Sequence, residues 1–387
     1  MRIKIFLALL LASVFVSEST VLAEKTHIGN TYPSLGRGIR PLGMGNAFLT
    51  MKGDDENTIF YNPAAIRDYS NDTRFITNLP VPVVEINWSV IQLTKDLFDF
   101  AGDIDDAGSD SATIDTFQTF VDNHTGKFYS LEARTNLIGA YNRYFYVTVP
   151  YDSKLGVSFR QSFVPNFEIK STGLAGVVVG SGYGFFEDTL TIGAAVKTLY
   201  GVENEQIITT SDILASSLDE FKWNGWKRGI GIGGDVGVKY EIYDFGQDWI
   251  DTLRPTVAVT YQNIGDTKFR LMKKNGAPDK LPQSVSAGIG FFPVFGDVHT
   301  ALLVDVREIN IKEDFLMKLN AGAEAKFPLI IGKPAIRGGL NQGYPTGGVG
   351  FEIGKLVWNM AFFGKEVGET TRQKGGYRLA NEFTWRF

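Results

Sequence analysis

Residues 229–242 read GIGIGGDVGVKYEI, and this stretch decides the fold class. Most even-numbered positions are apolar, whereas the odd-numbered positions carry glycine or a charged side chain. Successive side chains of a β-strand point to opposite faces of a sheet, so the stretch predicts a strand with one apolar and one polar face. The apolar residues are Ile230, Ile232, Val236, Val238, Tyr240 and Ile242.

The same alternation recurs along the chain. It is found again in 154–160, 190–197, 256–262, 284–291 and 317–324. A tilted transmembrane strand needs about 9–11 residues, and outer-membrane barrels turn an apolar face to lipid and a polar face to the lumen. The apolar faces together exceed what one soluble core would use in so uniform a pattern. We therefore predict an all-β fold, an antiparallel transmembrane β-barrel of about 14 strands.

Residues 229–234 also satisfy the G-x-G-x-x-G pattern of nucleotide-binding loops. Such a loop lies between a strand and a helix, whereas these glycines fall inside one alternating segment. We interpret them as inward-facing glycines that leave lumen volume for the hatch or a ligand.

The last strand is rich in aromatic residues. Tyr377, Leu379, Phe383, Trp385 and Phe387 share one face, and charged or polar residues share the other. Aromatic side chains at a strand end suit the lipid–water interface, whereas the edge of a soluble sheet this apolar would aggregate. The strand is similar to the terminal signal read by the outer-membrane assembly machinery, with Tyr377, Phe383, Trp385 and Phe387 as its signal residues.

The N-terminus predicts export. Arg2 and Lys4 precede an apolar run, Ile5–Val16, and small residues end at Ala23, so residues 1–23 are predicted to be a signal peptide. Cysteine is absent, which excludes disulfides, thiolate metal sites and cysteine nucleophiles. A net charge of −5 gives no nucleic-acid footprint.

Candidate chemical sites are weak. His27, His124 and His299 are far apart and lack zinc spacing. Residues 103–108 hint at a calcium loop, but Ile114 stands where a bidentate glutamate is needed, so a solvated acidic loop is favoured and a loose calcium site stays open. We expect no enzyme activity, no cofactor and no metal.

The segment 36–66, GRGIRPLGMGNAFLTMKGDDENTIFYNPAAI, predicts a compact plug. Gly43 and Gly45 lie among small apolar residues, and an acidic pair, Asp54 and Asp55, follows in a polar turn. Asn62 can cap a short helix that begins at Pro63 and continues through Ala64. The plug would bury too little to fold alone, so it needs a host.

These residues carry a family resemblance. The ordered set Gly43–Phe48, Asp54-Asp55 and Asn62-Pro63-Ala64 resembles the N-terminal hatch of the FadL-type outer-membrane transporters and their PorV/PorQ-like relatives. Segments 256–266, 281–282 and 335–344 also resemble the PorV-like branch. The resemblance implies a 14-stranded barrel at 71–387 around a hatch at 24–70, with the hatch residues Gly43, Gly45, Asp54, Asp55, Asn62, Pro63 and Ala64 acting in gating.

Two insertions interrupt the strands, at 95–127 and 203–227, and each contains a plausible amphipathic helix. Barrels with both termini in the periplasm place their long loops outside the cell. We therefore expect both insertions on the extracellular face, as apolar caps over the barrel mouth or as partner surfaces.

Charged residues fall on the predicted inward face. They can line a path, or they can pair with one another and hold the hatch, and Asp54 and Asp55 can gate or can bond turn amides and inward arginines. The predicted lumen-lining charges are Arg160, Lys197, Asp235, Asp305, Arg307, Glu324, Arg337 and Arg378.

The resemblance implies a function in the bacterial outer membrane. FadL-type members take up fatty acids or aromatic compounds passively, through a hatch rearrangement and a lateral opening. The alternative is a PorV-like role, in which the barrel binds or anchors exported proteins for a secretion system. Expected partners are outer-membrane lipid, the assembly machinery, a hydrophobic small-molecule ligand and, in the alternative, exported or secretion-system proteins.

Overall fold

The computed structural model describes residues 35, 37–52, 55–78, 83–160, 166–209, 225–242, 248–366 and 375–387. The predicted signal peptide, Asp54 and the helix expected near 213–221 lie outside these residues.

Strands make up most of the described chain. The helices are α1 Ile39–Gly43, α2 Trp88–Asp106, α3 Asp110–His124, α4 Asp248–Leu253 and α5 Phe315–Lys318, with two 3-10 helices, Thr58–Phe60 and Pro63–Asp68. The strands are β1 Arg74–Thr77, β2 Val83–Asn87, β3 Phe128–Tyr141, β4 Phe145–Arg160, β5 Asn166–Phe185, β6 Leu190–Thr209, β7 Lys227–Glu241, β8 Thr256–Gln262, β9 Phe269–Lys274, β10 Ser284–Phe291, β11 Val294–Phe295, β12 Val298–Val306, β13 Leu319–Lys326, β14 Lys333–Asn341, β15 Tyr344–Ile353, β16 Leu356–Glu366 and β17 Gly375–Arg386.

The strands close into one antiparallel barrel. β1 and β2 both lie between β3 and β17, so they are two halves of the first barrel strand. The ring then runs through β3 to β8, β10, β12 and β13 to β17, while β9 and β11 add short pairings to β7 and β12. The barrel therefore has 14 strands, and the predicted fold class is confirmed.

The barrel has two unlike ends. At one end, tight turns join β3 to β4 and β15 to β16, and Phe387 exchanges backbone hydrogen bonds with Phe75 of β1. The other end carries the long connections 88–127, 263–283 and 307–318. Both termini of the barrel lie at the tight-turn end. The second predicted insertion is shorter than expected, because β6 continues to Thr209 and β7 begins at Lys227.

The pleat separates an apolar outer face from a polar inner face. On β8, Val257 and Val259 are exposed, whereas Thr256, Ala258 and Thr260 are buried. The hydrogen-bonded register places these residues in line with equivalent positions on β7 and β10. The alternation read from the sequence therefore describes the two faces of a closed wall.

Helices α2 and α3 form a hairpin between β2 and β3. Asn87 caps α2 by accepting a hydrogen bond from the Ser89 amide at 3.0 Å, and Ser109 caps α3 through the Ala112 amide at 3.3 Å. In the described part of the chain, no helix is long and apolar enough to cross a membrane.

The hairpin covers the outside of the wall at the long-loop end. Phe117 and Phe120 of α3 pack with Val157 and Phe159 of β4. These β4 residues alternate with Lys154 and the other inward-facing residues, so they point away from the lumen. The sequence predicted that the insertion at 95–127 forms an apolar cap over the barrel mouth or a partner surface. The apolar stripe of the helix was predicted, but a stripe does not specify which face of a wall it will cover.

The calcium hypothesis for 103–108 is not supported by the backbone. Residues 103–106 form the last turn of α2, and Ala107 is its C-cap. A helical turn does not wrap its side chains and carbonyls around one ion as a calcium loop does.

Candidate functional site: the hatch and the lumen

The described part of the hatch, residues 37–52 and 55–69, lies inside the barrel. Its apolar side chains form a core with inward-facing wall residues rather than with one another alone. Phe48 packs against Tyr61 with ring centroids 5.4 Å apart, and Tyr69 packs against Tyr141 of β3 at 4.7 Å. The core members from the hatch are Met44, Ala47, Phe48, Leu49, Met51, Ile59, Phe60, Tyr61, Ile66 and Tyr69. The barrel therefore provides the host that the segment needs.

Glycines of β5, β6 and β7 receive one side of the hatch. A Cβ atom on Gly193 would lie 2.3 Å from the Pro63 carbonyl carbon, and one on Gly237 would lie 2.0 Å from Asn62 Oδ1. A Cβ on Gly182 would lie 2.5 Å from Ile66 Cγ2. Since real Cβ atoms do not approach this closely, glycine is required for the docked hatch at these positions.

A second group of glycines receives the other side. Cβ atoms on Gly322 and Gly339 would lie 2.1 Å from Met44 O and 2.7 Å from Gly45 N, respectively. Gly45 itself has φ 63°, and its amide donates to Thr346 Oγ1 at 3.0 Å. Gly43 lies against the backbone of Gly348. The hatch is thus held between two glycine-lined parts of the wall.

Asn62 joins the hatch to itself and to β7. Its Oδ1 accepts from the Ala64 amide at 3.0 Å, and its Nδ2 donates to Leu49 O at 3.2 Å and to Val238 O at 3.5 Å. Pro63 is the first residue of the 3-10 helix that Asn62 caps. The sequence pattern located this cap, although the helix is 3-10 rather than α.

Arg40 is the main electrostatic link between hatch and wall. Its guanidinium contacts both Glu324 oxygens, at 2.9 and 2.5 Å, and Asp55 Oδ2 at 2.5 Å. Arg337 donates to the same Glu324 at 2.6 Å. Asp55 also accepts from the Asn57 amide at 2.8 Å. Asp55 thus pairs with a turn amide and with an arginine of the hatch itself rather than of the wall.

Two neighbouring hatch carboxyls have opposite pKa shifts. Burial raises the pKa of Asp55, but the charges of Arg40 and Arg386 outweigh it, and the pKa lies below its usual value. At Glu56 burial dominates over the single charge of Arg386, and the pKa is raised. Asp55 is therefore the more acidic of these two carboxyls.

Further contacts join the hatch to the wall at several positions along the barrel axis. Asp305 of β12 accepts from the Phe48 and Leu49 amides at 2.6 and 3.0 Å, and Arg307 stacks on the Tyr61 ring at 5.2 Å. Glu56 pairs with Arg386 at 2.6 Å. Towards the tight-turn end, the hatch pairs are Lys52–Glu241, Asp68–Lys239 and Arg67–Asp188.

The remaining predicted lumen charges pair within the wall. Lys197 donates to Asp235 at 2.8 Å, and Arg378 donates to Glu85 at 2.5 Å. Arg160 lies at the long-loop end, 3.3 Å from Glu168. Of the predicted set, Glu324, Asp305 and Arg307 thus contact the hatch, and Arg337 binds Glu324 beside it. Lys197, Asp235, Arg160 and Arg378 form no ion pair with the described hatch residues.

A polar layer lies beside the hatch, and of its members only Arg378 is among the lumen-lining charges predicted from the sequence. Its members come from β2, β3, β4, β16 and β17, and they are Glu85, Glu132, Arg134, Asp152, Lys154, Lys365 and Arg378. Alternation in 128–136 and 150–158 was the available signal, since Glu132, Arg134, Asp152 and Lys154 recur there at every second position.

The glycine-rich stretch of β7 has a separate partner. Cβ atoms on Gly229 and Gly231 would meet Phe269 or Thr267 at about 3 Å or less, and one on Gly233 would lie 2.1 Å from Thr267 Oγ1. Phe269 is buried with Leu174, Leu199 and Leu281. These glycines make room for a chain segment, so no nucleotide loop is present at this position.

The first barrel strand is described in two segments, β1 and β2, which have different registers against β17. Thr77 pairs with Trp385 and Val84 pairs with Asn381, so the two pairs are seven residues apart on this strand and four apart on β17. Asn78 follows β1: its Nδ2 donates to Phe383 O at 3.1 Å, and its Oδ1 accepts from the Asn136 amide at 2.9 Å. One side chain therefore joins β17 to β3 at the end of the first described segment.

The aromatic residues of β17 lie on the outer face. Tyr377, Trp385 and Phe387 are exposed and Phe383 is half-buried, while Arg378 between them is buried in the lumen. Trp385 and Phe387 are at the tight-turn end, beside β1. This is the position of an interfacial aromatic belt.

Comparison with known proteins gives structural matches only. No protein-family model and no curated protein matches the chain. The toluene transporter TbuX of Ralstonia pickettii matches with 12% identity and a TM-score of 0.46 over 91% of this chain and 98% of that chain. The CymD monoaromatic hydrocarbon channel matches with 12% identity and a TM-score of 0.48 over 91% and 97%, and a Pseudomonas aeruginosa FadL homologue with 10% and 0.35 over 92% and 98%.

Three carboxylates lie close enough together to suggest a metal site among the described residues. They are Glu203, Glu205 and Asp279. Lys227 lies 2.9 Å from Glu203, and Lys170 lies 2.7 Å from Glu205 and 3.3 Å from Asp279. An added cation would compete with two fixed ammonium groups, so the cluster is a salt-bridge network.

Proposed function

We propose that the chain is a bacterial outer-membrane barrel that mediates passive uptake of hydrophobic small molecules through a hatch-gated lumen. The observation that carries this proposal is the apolar hatch core, with Phe48, Leu49 and Tyr61 buried inside a closed barrel. Such a core blocks polar solutes, and it presents apolar side chains to a hydrophobic solute. The exposed apolar outer face and the aromatic belt support a membrane location.

The contacts of the hatch support gating. Much of its attachment consists of ion pairs and hydrogen bonds to the wall, with Arg40 joining α1 to both Glu324 and Asp55. Such contacts can be exchanged for water or for other charged groups when the hatch moves. Breaking one partner of a buried pair costs about 3–5 kcal/mol, so this link also keeps the hatch closed at rest.

The change of register between the two described segments of the first barrel strand supports a lateral path for the ligand. Leu79-Pro80-Val81-Pro82 follows Asn78 in sequence, and proline cannot donate to a strand ladder. The Asn78 side chain thus links β3 and β17 by hydrogen bonds, beside the hatch core. A lateral exit at this place would deliver a hydrophobic molecule to lipid without passing the whole hatch.

Uptake by proteoliposomes tests the proposal. We expect vesicles containing the protein to accumulate a fluorescent fatty acid or an aromatic dye several-fold faster than empty vesicles. Arg40→Gln removes the charge that Glu324 and Asp55 share, so it should also raise leakage of a small polar antibiotic; Lys333→Gln, at an exposed pair, is the matched control. Equal entry of every hydrophobic compound into protein-containing and empty vesicles would overturn the uptake function.

A further inference from the structure

Two adjacent charges of the polar layer are buried without partners. Asp152 and Lys154 are two residues apart on β4, and their exposed fractions are 0% and 4%. Among the described residues, neither oxygen of Asp152 and no atom of the Lys154 ammonium group has a hydrogen-bond partner. Tyr146, which shares their side of the strand, belongs to the hatch core, so both side chains face the lumen.

The surrounding charges are already paired. Arg134 contacts Glu132 at 2.8 Å and Glu85 at 3.2 Å, and Arg378 contacts Glu85 at 2.5 Å. Lys365 lies 3.5 Å from Glu132. Among the described residues, the hydrogen bonds and close ion pairs of the layer therefore do not include Asp152 or Lys154, which interact with Arg134 and Glu132 only at longer range.

Asp152 and Lys154 are same-face neighbours on β4, but neither has a hydrogen-bond partner in the described structure. Glu132 and Arg134 have the same spacing on β3 and form an ion pair at 2.8 Å, so the lack of pairing on β4 does not come from the spacing alone. A buried charge without a partner is strongly unfavourable. A group with one positive and one negative charge, placed across this spacing, would satisfy both side chains.

An apolar cluster lies directly beside the unpaired charges. Leu174 of β5 is the register partner of Asp152, and it packs with Leu199, Phe269 and Leu281 inside the barrel. The first barrel strand is also close to Asp152. Arg134, the register partner of Asp152 on β3, is paired in turn with Val83 of β2. The site thus combines two opposite charges with an apolar surface near the proposed lateral exit.

We propose that Asp152 and Lys154 bind the zwitterionic head group of an amphiphilic ligand, with its cationic group beside Asp152 and its anionic group beside Lys154. The tail extends over Leu174 and Phe269. This inference rests on the proposed uptake function and specifies its ligand class. Both side chains are covered in this structure, so binding requires a neighbouring side chain to move, and Lys365, with a side chain 22% exposed, is the least buried of the charged neighbours named above.

A series of C12 amphiphiles tests the head group. Binding of N-dodecylglycine, laurate, dodecylamine and dodecanol to the purified full chain in lipid nanodiscs is measured by displacement of a fluorescent probe. We expect N-dodecylglycine to bind at least about tenfold more tightly than the other three, because it alone supplies both charges. Laurate as the tightest ligand, or equal binding of dodecanol, would overturn the proposal.

Two variants assign the charges. Asp152→Asn should reduce N-dodecylglycine binding about tenfold and leave laurate binding unchanged or stronger, whereas Lys154→Gln should reduce the binding of both. Asp297→Asn and Lys333→Gln, at exposed positions of the tight-turn end, are the matched controls. Each lumen variant removes an unpaired buried charge, so we expect thermal stability to be kept or raised, which separates lost binding from lost folding. Unchanged selectivity in both variants would exclude this site.

The two functional proposals fail in different ways. If the vesicles take up hydrophobic dye but the C12 series shows no head-group preference, only the zwitterion site is wrong. If vesicles take up neither dye nor any amphiphile, uptake itself is wrong.

Discussion

Gly237 and Gly234 lie three residues apart on β7 but face opposite sides of the wall. A Cβ on Gly237 would lie 2.0 Å from Asn62 Oδ1, whereas one on Gly234 has its nearest heavy atom at 3.7 Å. We predict that Gly237→Ala displaces the hatch at a cost of about 1–3 kcal/mol and raises entry of a small polar antibiotic into cells several-fold.

The control for this substitution is Gly234→Ala, which should assemble and exclude the antibiotic like the unmodified protein. Heat-modifiable gel mobility would verify that both barrels are closed. Equal antibiotic entry in the two variants would contradict a hatch that seals the lumen at this point.

Single residues were predictable where the signal is local. Asn62 and Pro63 form a cap that is read from adjacent positions, and the inward direction of Asp235 follows from alternation. Pairing is different, because Arg40 and Glu324 are 284 residues apart in sequence. Closure of the barrel brings them together, and alternation specifies the side of the wall but not the partner.

Among the elements, the α2–α3 hairpin gives the sharpest test of placement. Phe120 is buried against Phe159 and stacks on Phe100 with ring centroids 4.4 Å apart, whereas Phe98 on α2 is 48% exposed. We predict that Phe120→Ala loosens the hairpin by about 3–5 kcal/mol and makes residues 88–127 sensitive to limited proteolysis. Phe98→Ala should leave the digestion pattern unchanged.

Barrel assembly should survive Phe120→Ala, because the hairpin lies outside the ring of strand pairings. A variant with intact gel mobility and rapid cleavage in 88–127 fits this arrangement. Cleavage at the same rate as in the unmodified protein would argue that Phe120 does not hold the hairpin on the wall.

The strands were far more predictable than this hairpin. A period-two pattern states both the element and its two faces, as on β7 and β8. For α3 the pattern shows an apolar stripe, but either face of the wall could receive it. The change of register between β1 and β2 was equally unpredictable, because it is a difference in length against β17 that is visible only once the strands are paired.

At the scale of the whole molecule, the proposed membrane location depends on the apolar outer face of the barrel contacting lipid. The proposed membrane location requires Val259, 51% exposed at the middle of β8, to contact lipid. Arginine on the lipid face costs about 2–4 kcal/mol at the bilayer midplane and about 0–1 kcal/mol near the interfaces. Position along the strand therefore decides the size of the effect.

We predict that Val259→Arg lowers the stability of the barrel in lipid by about 2–4 kcal/mol, measured by urea unfolding in vesicles, and slows its assembly. Ile330→Arg is the matched substitution, because Ile330 is fully exposed in the turn between β13 and β14 at the tight-turn end. Its cost should be near zero. Both substitutions replace an exposed β-branched residue with arginine. A difference between their unfolding free energies therefore measures burial of the position in the hydrocarbon layer. Equal stabilities would mean that β8 does not face lipid, and the membrane location would then fail together with the uptake function that depends on it.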